Sequence, residues 1–408
     1  MNMKVRIPVL VVLASLFAAP AFGDDLEEAR KEEQRKQAAF RTGVTQLVDH
    51  LNNEDYDRFV AAIDRGEMVE RIYGLRLIDA RIKKSFEDNL ENSFSYLVQS
   101  GAGITLAGIV PARGKPDSGL SVKLLGIESR GDRGRAVIRV DLDNFQFNYQ
   151  EFDLRLQGNR VVVNDWNDYL AGMSFSESVG RYLVLATPSK QALRKMLDLP
   201  NASDRELYLF GELMKAARDG NLDKYFEVRD GLATRVRNQR IVVETSVLAS
   251  RAKRQRAKMV GALGIMAEQY PEEPFYALML LDYFFPQKKF EEGMAALQAL
   301  AGKLGFEDAA MDARISAAQL AAGNVSEAVG YADAALQREP TLELAWLSAL
   351  NARNAAGDYP GSVESLARLE GEFGYDLGPE TLKKSRVFAD LMQSAEFQQW
   401  LSSRSAAE

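Results

Sequence analysis

The second half of the chain repeats itself, and this limits its fold more than any other feature. Residues 309–342 and 343–376 align with each other at a period of about 34. The first unit carries Gly323-Asn324 midway, Ala328 and Ala335 after it, and Pro340 at its end. The second carries Trp346 in its first turn, Gly357-Asp358-Tyr359 midway and Gly374 near its end. Residues 275–308 place Leu278, Leu281, Lys289-Phe290, Ala296 and Leu300 at matching points, and Pro274 stands 66 residues before Pro340. Small residues let two antiparallel helices approach closely. A bulky residue fills the gap beside them, and glycine or proline re-aims the chain. The pattern therefore predicts helical hairpins stacked in a row.

These residues resemble tetratricopeptide (TPR) repeats. The likeness is degenerate: Ser316 and Leu350 stand where the family places glycine, and Ser362 replaces a second small position. Residues 204–237, with Leu213, Gly220-Asn221 and Tyr225-Phe226, have the same helix-turn-helix look, and Arg240–Tyr270 offers a further pair. Thr381–Leu401 would be the polar-faced capping helix that such arrays need. The expected repeat domain spans residues 204–403, with a tail at 404–408. The resemblance implies an all-α solenoid whose concave groove takes an extended or helical peptide.

The N-terminus reads as an export signal. Lys4 and Arg6 precede an apolar run from Ile7 to Ala19, and Pro20-Ala-Phe-Gly23 sets small residues before a cut at Asp24. The run is too short for a bilayer core of roughly 20 residues. Residues 1–23 are thus expected to be removed, leaving a periplasmic or secreted bacterial protein without stable membrane insertion. Residues 24–39 form a charged lead-in, with acids before bases, in the order a helix dipole favours.

Residues 40–175 read as helices followed by a sheet. Phe40, Val44, Leu47, Val48 and Leu51 recur at helical spacing, as do Tyr56, Phe59, Val60 and Ile63. A third stripe runs from Met68 to Leu97 through Ile72, Leu75, Ile78, Ile82 and Phe86. Strands are expected at Ile104–Val110, Leu120–Ser129, Arg135–Asp143, Phe145–Gln157 and Arg160–Trp166. Pro111–Gly119 reads as a loop, and turns are expected at Gly131–Gly134 and Gly158-Asn159. In the third strand Ala136, Ile138, Val140 and Leu142 share one face, and Arg135, Val137, Arg139 and Asp141 the other. Helices first and an antiparallel sheet after them is an α+β order. A connecting helix is expected over 176–203, opened by Ser174-Phe-Ser-Glu177.

The element order, with Tyr149-Gln-Glu-Phe-Asp-Leu, Gly158, Val161-Val-Val-Asn-Asp-Trp166 and Tyr169, resembles the nuclear-transport-factor-two-like (cystatin-like) superfamily. That resemblance implies a curved sheet wrapped on a helix around a cone-shaped cavity. Isomerases of the superfamily, ketosteroid isomerase among them, place a carboxylate base and a hydroxyl donor in such a cavity. Asp141, Tyr149, Asp153 and Asp165 are the residues carried over, with Asp143, Asp168 and Tyr169 supplying the same chemical types.

Composition removes much chemistry. The 408 residues include no cysteine and one histidine, His50. Thiol catalysis, disulfides, cysteine-ligated zinc, iron–sulfur clusters and multi-histidine metal sites are excluded. No phosphate-binding loop, dinucleotide fingerprint or serine-nucleophile elbow appears, so no cofactor, metal or catalytic residue is expected. The formal net charge is −7, or −9 once Lys4 and Arg6 leave with the signal. Against it stand nine basic residues: Arg229, Arg235, Arg237, Arg240, Arg251, Lys253, Arg254, Arg256 and Lys258, opposed by Asp230 and Glu244. They read as a patch for an anionic partner, or as a solvated face paired with acids of neighbouring helices. Nucleic acid is not expected of an exported chain without interleaved aromatics. The leading functional expectation is a non-enzymatic adaptor that holds a protein or peptide in the cell envelope. The alternative is a small-molecule or isomerase-type site in the cone.

Overall fold

The computed structural model describes residues 21–405, apart from 54, 75–77, 90–120, 143–145, 187–188, 272 and 274–275. The signal segment before Ala21, the strand at Ile104–Val110, the loop at Pro111–Gly119, the stripe beyond Asn89, Asp143, and Pro274 lie outside the described residues.

Among the described residues four helices come first: α1 (Ala21–Asn52), α2 (Tyr56–Ala61), α3 (Arg65–Tyr73) and α4 (Ala80–Asp88). The charged lead-in and the Phe40–Leu51 stripe are thus one helix, whose charged first half is exposed and whose second half is buried along one face. The stripe starting at Met68 is expected as one run, but it breaks. Gly74 ends α3, and the Asp79 carboxylate accepts the Arg81 N–H to start α4. Helical spacing persists across such a break because Met68, Ile72 and Phe86 still enter one core.

A five-stranded antiparallel sheet follows, in the order β1 (Ser121–Arg130), β2 (Arg133–Leu142), β3 (Gln146–Gln157), β4 (Arg160–Asp168) and β5 (Met173–Ser174). Gly131 and Gly158 open the two tight turns with φ of +60° and +63°, which a side chain would strain. β5 is too short to be seen by alternation. It pairs with Asn167 and Asp168 after the Asp168 carboxylate has turned the chain.

The alternation in β2 and β3 holds, and both faces are buried. Ala136, Ile138, Val140, Phe152 and Leu154 pack on Phe40, Val44, Phe59, Met68 and Ile72 of the first helices. Trp166 lies in the same core, stacked on Phe175 at 4.2 Å between ring centroids. Phe175, Val179 and Leu183 belong to α5 (Phe175–Ala186), so this helix packs with the N-terminal core. The expected 176–203 helix is therefore two helices: α6 (Lys190–Met196) restarts at Ser189, whose hydroxyl accepts the Ala192 N–H.

The other face of the sheet carries Val137, Phe147, Tyr149 and Tyr169, and it packs on helices from the second half. Those helices come as hairpins. The pair α7 (Asp204–Arg218) and α8 (Leu222–Asp230) precedes the short α9 (Thr234–Arg237), then α10 (Arg240–Ala252) pairs with α11 (Arg256–Gln269). Next come α12 (Ala277–Phe284) with α13 (Phe290–Leu304), α14 (Ala309–Ala321) with α15 (Val325–Arg338), and α16 (Glu343–Ala356) with α17 (Tyr359–Phe373). α14 and α16 start 34 residues apart, and so do α15 and α17. Ala328, Ala332, Ala349 and Ala352 meet without exposure where α15 crosses α16. Ser316, at the position expected to be glycine, sends its hydroxyl across the α14–α15 contact to the Ala328 carbonyl at 2.7 Å. The expected capping helix at Thr381–Leu401 is instead three short helices: α18 (Pro379–Leu382), α19 (Ala389–Gln393) and α20 (Ala395–Ser405). Ser394 divides the last two, and its hydroxyl accepts the Phe397 N–H.

Candidate functional site

The four residues carried over for the cone fall into two ion-pair groups. Asp141 and Tyr149 face the hairpins, gathered around Arg139. The Arg139 side chain has no exposure and binds Asp141 at 2.7 Å and Glu339 at 2.9 Å, with Asp308 at 2.5 Å. Tyr149 donates its hydroxyl to the second oxygen of Asp308 at 2.7 Å. Lys123 adds a second cation on Glu339. Burial raises the Asp141 pKa, aided by Glu339 and Asp308 and opposed by Arg139. Burial works against the charge of Glu339 as well, but Arg139 and Lys123 together win and lower its pKa. Asp308 also caps α14 by accepting the Met311 N–H, so one side chain starts a helix and fastens it to the sheet.

Asp153 and Asp165 instead surround Arg71 of α3, at 2.5 Å and 4.0 Å. Asp165 accepts from the Trp166 N–H, the Ser176 N–H and the Ser176 hydroxyl, which ties β4 to the first turn of α5. Burial raises its pKa against those bonds. Asp168 is the most perturbed of these carboxyls. Burial lifts it to about 7, although the Leu170 and Ala171 N–H groups and Gln150 favour the anion. Tyr169 donates to Glu151. His50 faces Asp55 at 3.8 Å across the α1–α2 junction. Each of these groups is held by protein partners.

The basic segment divides in the same way. Arg235 makes two bonds to Glu206, Arg251 meets Asp282 at 3.3 Å, and Lys253 meets Asp223 at 3.0 Å. Lys258 sits 4.0 Å over the Phe226 ring and 4.0 Å from Asp230. Among the described residues Arg237 reaches only Thr234. Arg254 and Arg256 are exposed, without an ion pair among the described residues. Arg240 belongs elsewhere: its guanidinium binds Glu244, the Gly172 carbonyl and Glu273.

Glu244 is the centre that sequence reasoning missed, since it saw only a charge opposing the patch. It is 3% exposed. One oxygen takes Arg240 at 2.8 Å and the Tyr276 hydroxyl, and the other takes Arg181 at 3.0 Å. Burial and Glu244 together push the Tyr276 hydroxyl far above its ordinary pKa. Beside this cluster lies a pocket of about 450 Å³ between α5, α7 and α10. Leu185, Met214, Ile241 and Leu248 form much of its wall, with Arg181 and Glu244 at one side. Arg181 spans Glu244 and Glu177, the latter at 2.6 Å. Among the described residues no group of three or more His, Asp or Glu side chains is placed to hold a metal.

No protein-family model matches the chain, and no curated protein matches it.

Proposed function

We propose that the protein is a non-enzymatic adaptor of the bacterial cell envelope, whose TPR-like helical array holds a peptide or protein partner. The 34-residue step between equivalent helices is the observation that carries this reading. α14 and α16 are in contact, and each also contacts the helix that follows it, which supports the reading. A repeated helix pair presents the same positions again and again along one surface. Ala317 and Asn351 are such a pair, as are Ala321 and Ala355, and all four are exposed. Small side chains there let a partner backbone come close.

The α12–α13 hairpin is already covered. The sheet buries the inner sides of α12, α13 and the start of α14, so the array is read as offering its later helices to a partner. A fragment lacking the sheet would expose Ala310, Met311 and Ile315 and bind unspecifically. The test therefore uses the full mature chain, Asp24–Glu408. Envelope extract is passed over it and over a variant carrying Ala317→Arg and Asn351→Arg. A partner held by the parent and lost by the variant supports the reading. The same proteins on both surfaces, or none on either, sinks it.

A further inference from the structure

The pocket between α5, α7 and α10 has no part in the adaptor reading and stands apart from the hairpins that carry it. We propose that it binds a long-chain aliphatic carboxylate, tail inward, with the carboxylate on Arg181. Its volume of about 450 Å³ falls within the range of small-molecule sites. Leu185, Met214, Leu222, Ile241 and Leu248 give it an aliphatic wall. Among the described residues Tyr182, 40% exposed, is the one aromatic side chain on it. Such a wall suits a flexible chain better than a planar ring, and Met214 adapts to its shape.

The charged side of the pocket selects the head group. Both oxygens of Glu244 already accept, one from Arg240 and Tyr276 and the other from Arg181, and as an acceptor-only group it offers a ligand carboxylate nothing. Arg181 differs. One arm of its fork is fixed on Glu244, and the other rests on Glu177, one turn earlier on the same helix and 39% exposed. Glu177 is exposed while Arg181 is 19% exposed, so the carboxylate end of this pair can exchange with water. A ligand carboxylate can take the second arm while Glu177 turns to water. The guanidinium then keeps two anionic partners, and the chain replaces water along an apolar wall.

The test is calorimetric titration of the delipidated protein with dodecanoate and with dodecanol, both below their aggregation limits. Dodecanoate is expected to bind the more tightly. Arg181→Met should weaken dodecanoate by roughly tenfold or more and leave dodecanol unchanged, as loss of one charge-assisted hydrogen bond predicts. Glu244 keeps Arg240 and Tyr276 in that variant, so the fold should persist. Ala249→Trp should abolish binding of both by filling the pocket. Should that variant fail to fold, Leu248→Trp serves the same purpose on a half-buried position. Absence of binding by either ligand overturns the proposal. So does equal weakening of both by Arg181→Met, or undiminished binding by a folded Trp variant.

Discussion

The Arg139 guanidinium on β2 meets the Glu339 carboxylate at 2.9 Å, across 200 residues of chain, at the junction between α15 and α16. Arg139 lies where the sheet and the helical hairpins touch, and it is fully buried. Its charge is tolerable there only because Asp141, Asp308 and Glu339 surround it. Burial alone would lower its pKa, but the three carboxylates raise it.

Removing that cation should therefore be costly. Arg139→Met leaves the buried Asp308 beside the partly buried Asp141 and Glu339, with Lys123 still on Glu339, and is expected to destabilise by about 3–5 kcal/mol. Urea denaturation followed by far-UV circular dichroism measures it. A loss under about 1 kcal/mol would mean that water reaches the cluster and screens it as at a surface pair.

Asp168 sets a pH dependence. Its folded pKa, about 7, lies above its value in an unfolded chain. The folded state thus holds a proton that the unfolded state has lost, through the window between about 4 and 7. Stability contributed by this group is present at low pH and falls as pH rises through that window, with the penalty complete above it. Asp165 and Asp141, also raised by burial, act in the same direction. Asp168→Asn keeps an oxygen for the Leu170 and Ala171 N–H groups but cannot ionise. It should stabilise at pH 8 relative to pH 5, on the order of 1–3 kcal/mol. Thermal melts of both proteins at the two pH values test this; parallel pH profiles would refute it.

The alanine seam between α15 and α16 tests the packing. Ala332 has no exposure and packs in one cluster with Ala328, Ala349 and Ala352. Ala332→Leu should cost about 1–3 kcal/mol through overpacking. Chemical denaturation gives the number. A neutral result would mean that the hairpins slide apart without penalty.

The basic segment should separate into two classes. Arg254→Glu with Arg256→Glu alters exposed side chains and should change stability by about 0.5 kcal/mol at most. Arg240→Met removes a bond to buried Glu244 and should cost about 1.5–3 kcal/mol. Melting the two variants side by side distinguishes a surface patch from a structural one. Similar losses in both would contradict the division.

The sequence by itself determined the local elements. Alternation placed Ala136, Ile138 and Val140 opposite Val137, Arg139 and Asp141, because a strand has a period of two whatever it packs against. The 34-residue repeat located α14 to α17, because glycine, alanine and proline mark turns and close helix contacts through their own backbone chemistry. Breaks such as Gly74 to Asp79 escaped notice, since a cap needs only one side chain and leaves the apolar spacing intact. Tertiary structure alone decided what covers the second face of the sheet. Arg139, Asp141 and Tyr149 look like surface or cavity residues until Asp308 and Glu339 are brought to them. Glu244 looks like one acid in a basic run until Arg181 and Tyr276 close around it. In both places the partner is distant in the chain. Periodicity reports which side of an element is buried, and folding of the whole chain fixes which charges meet there.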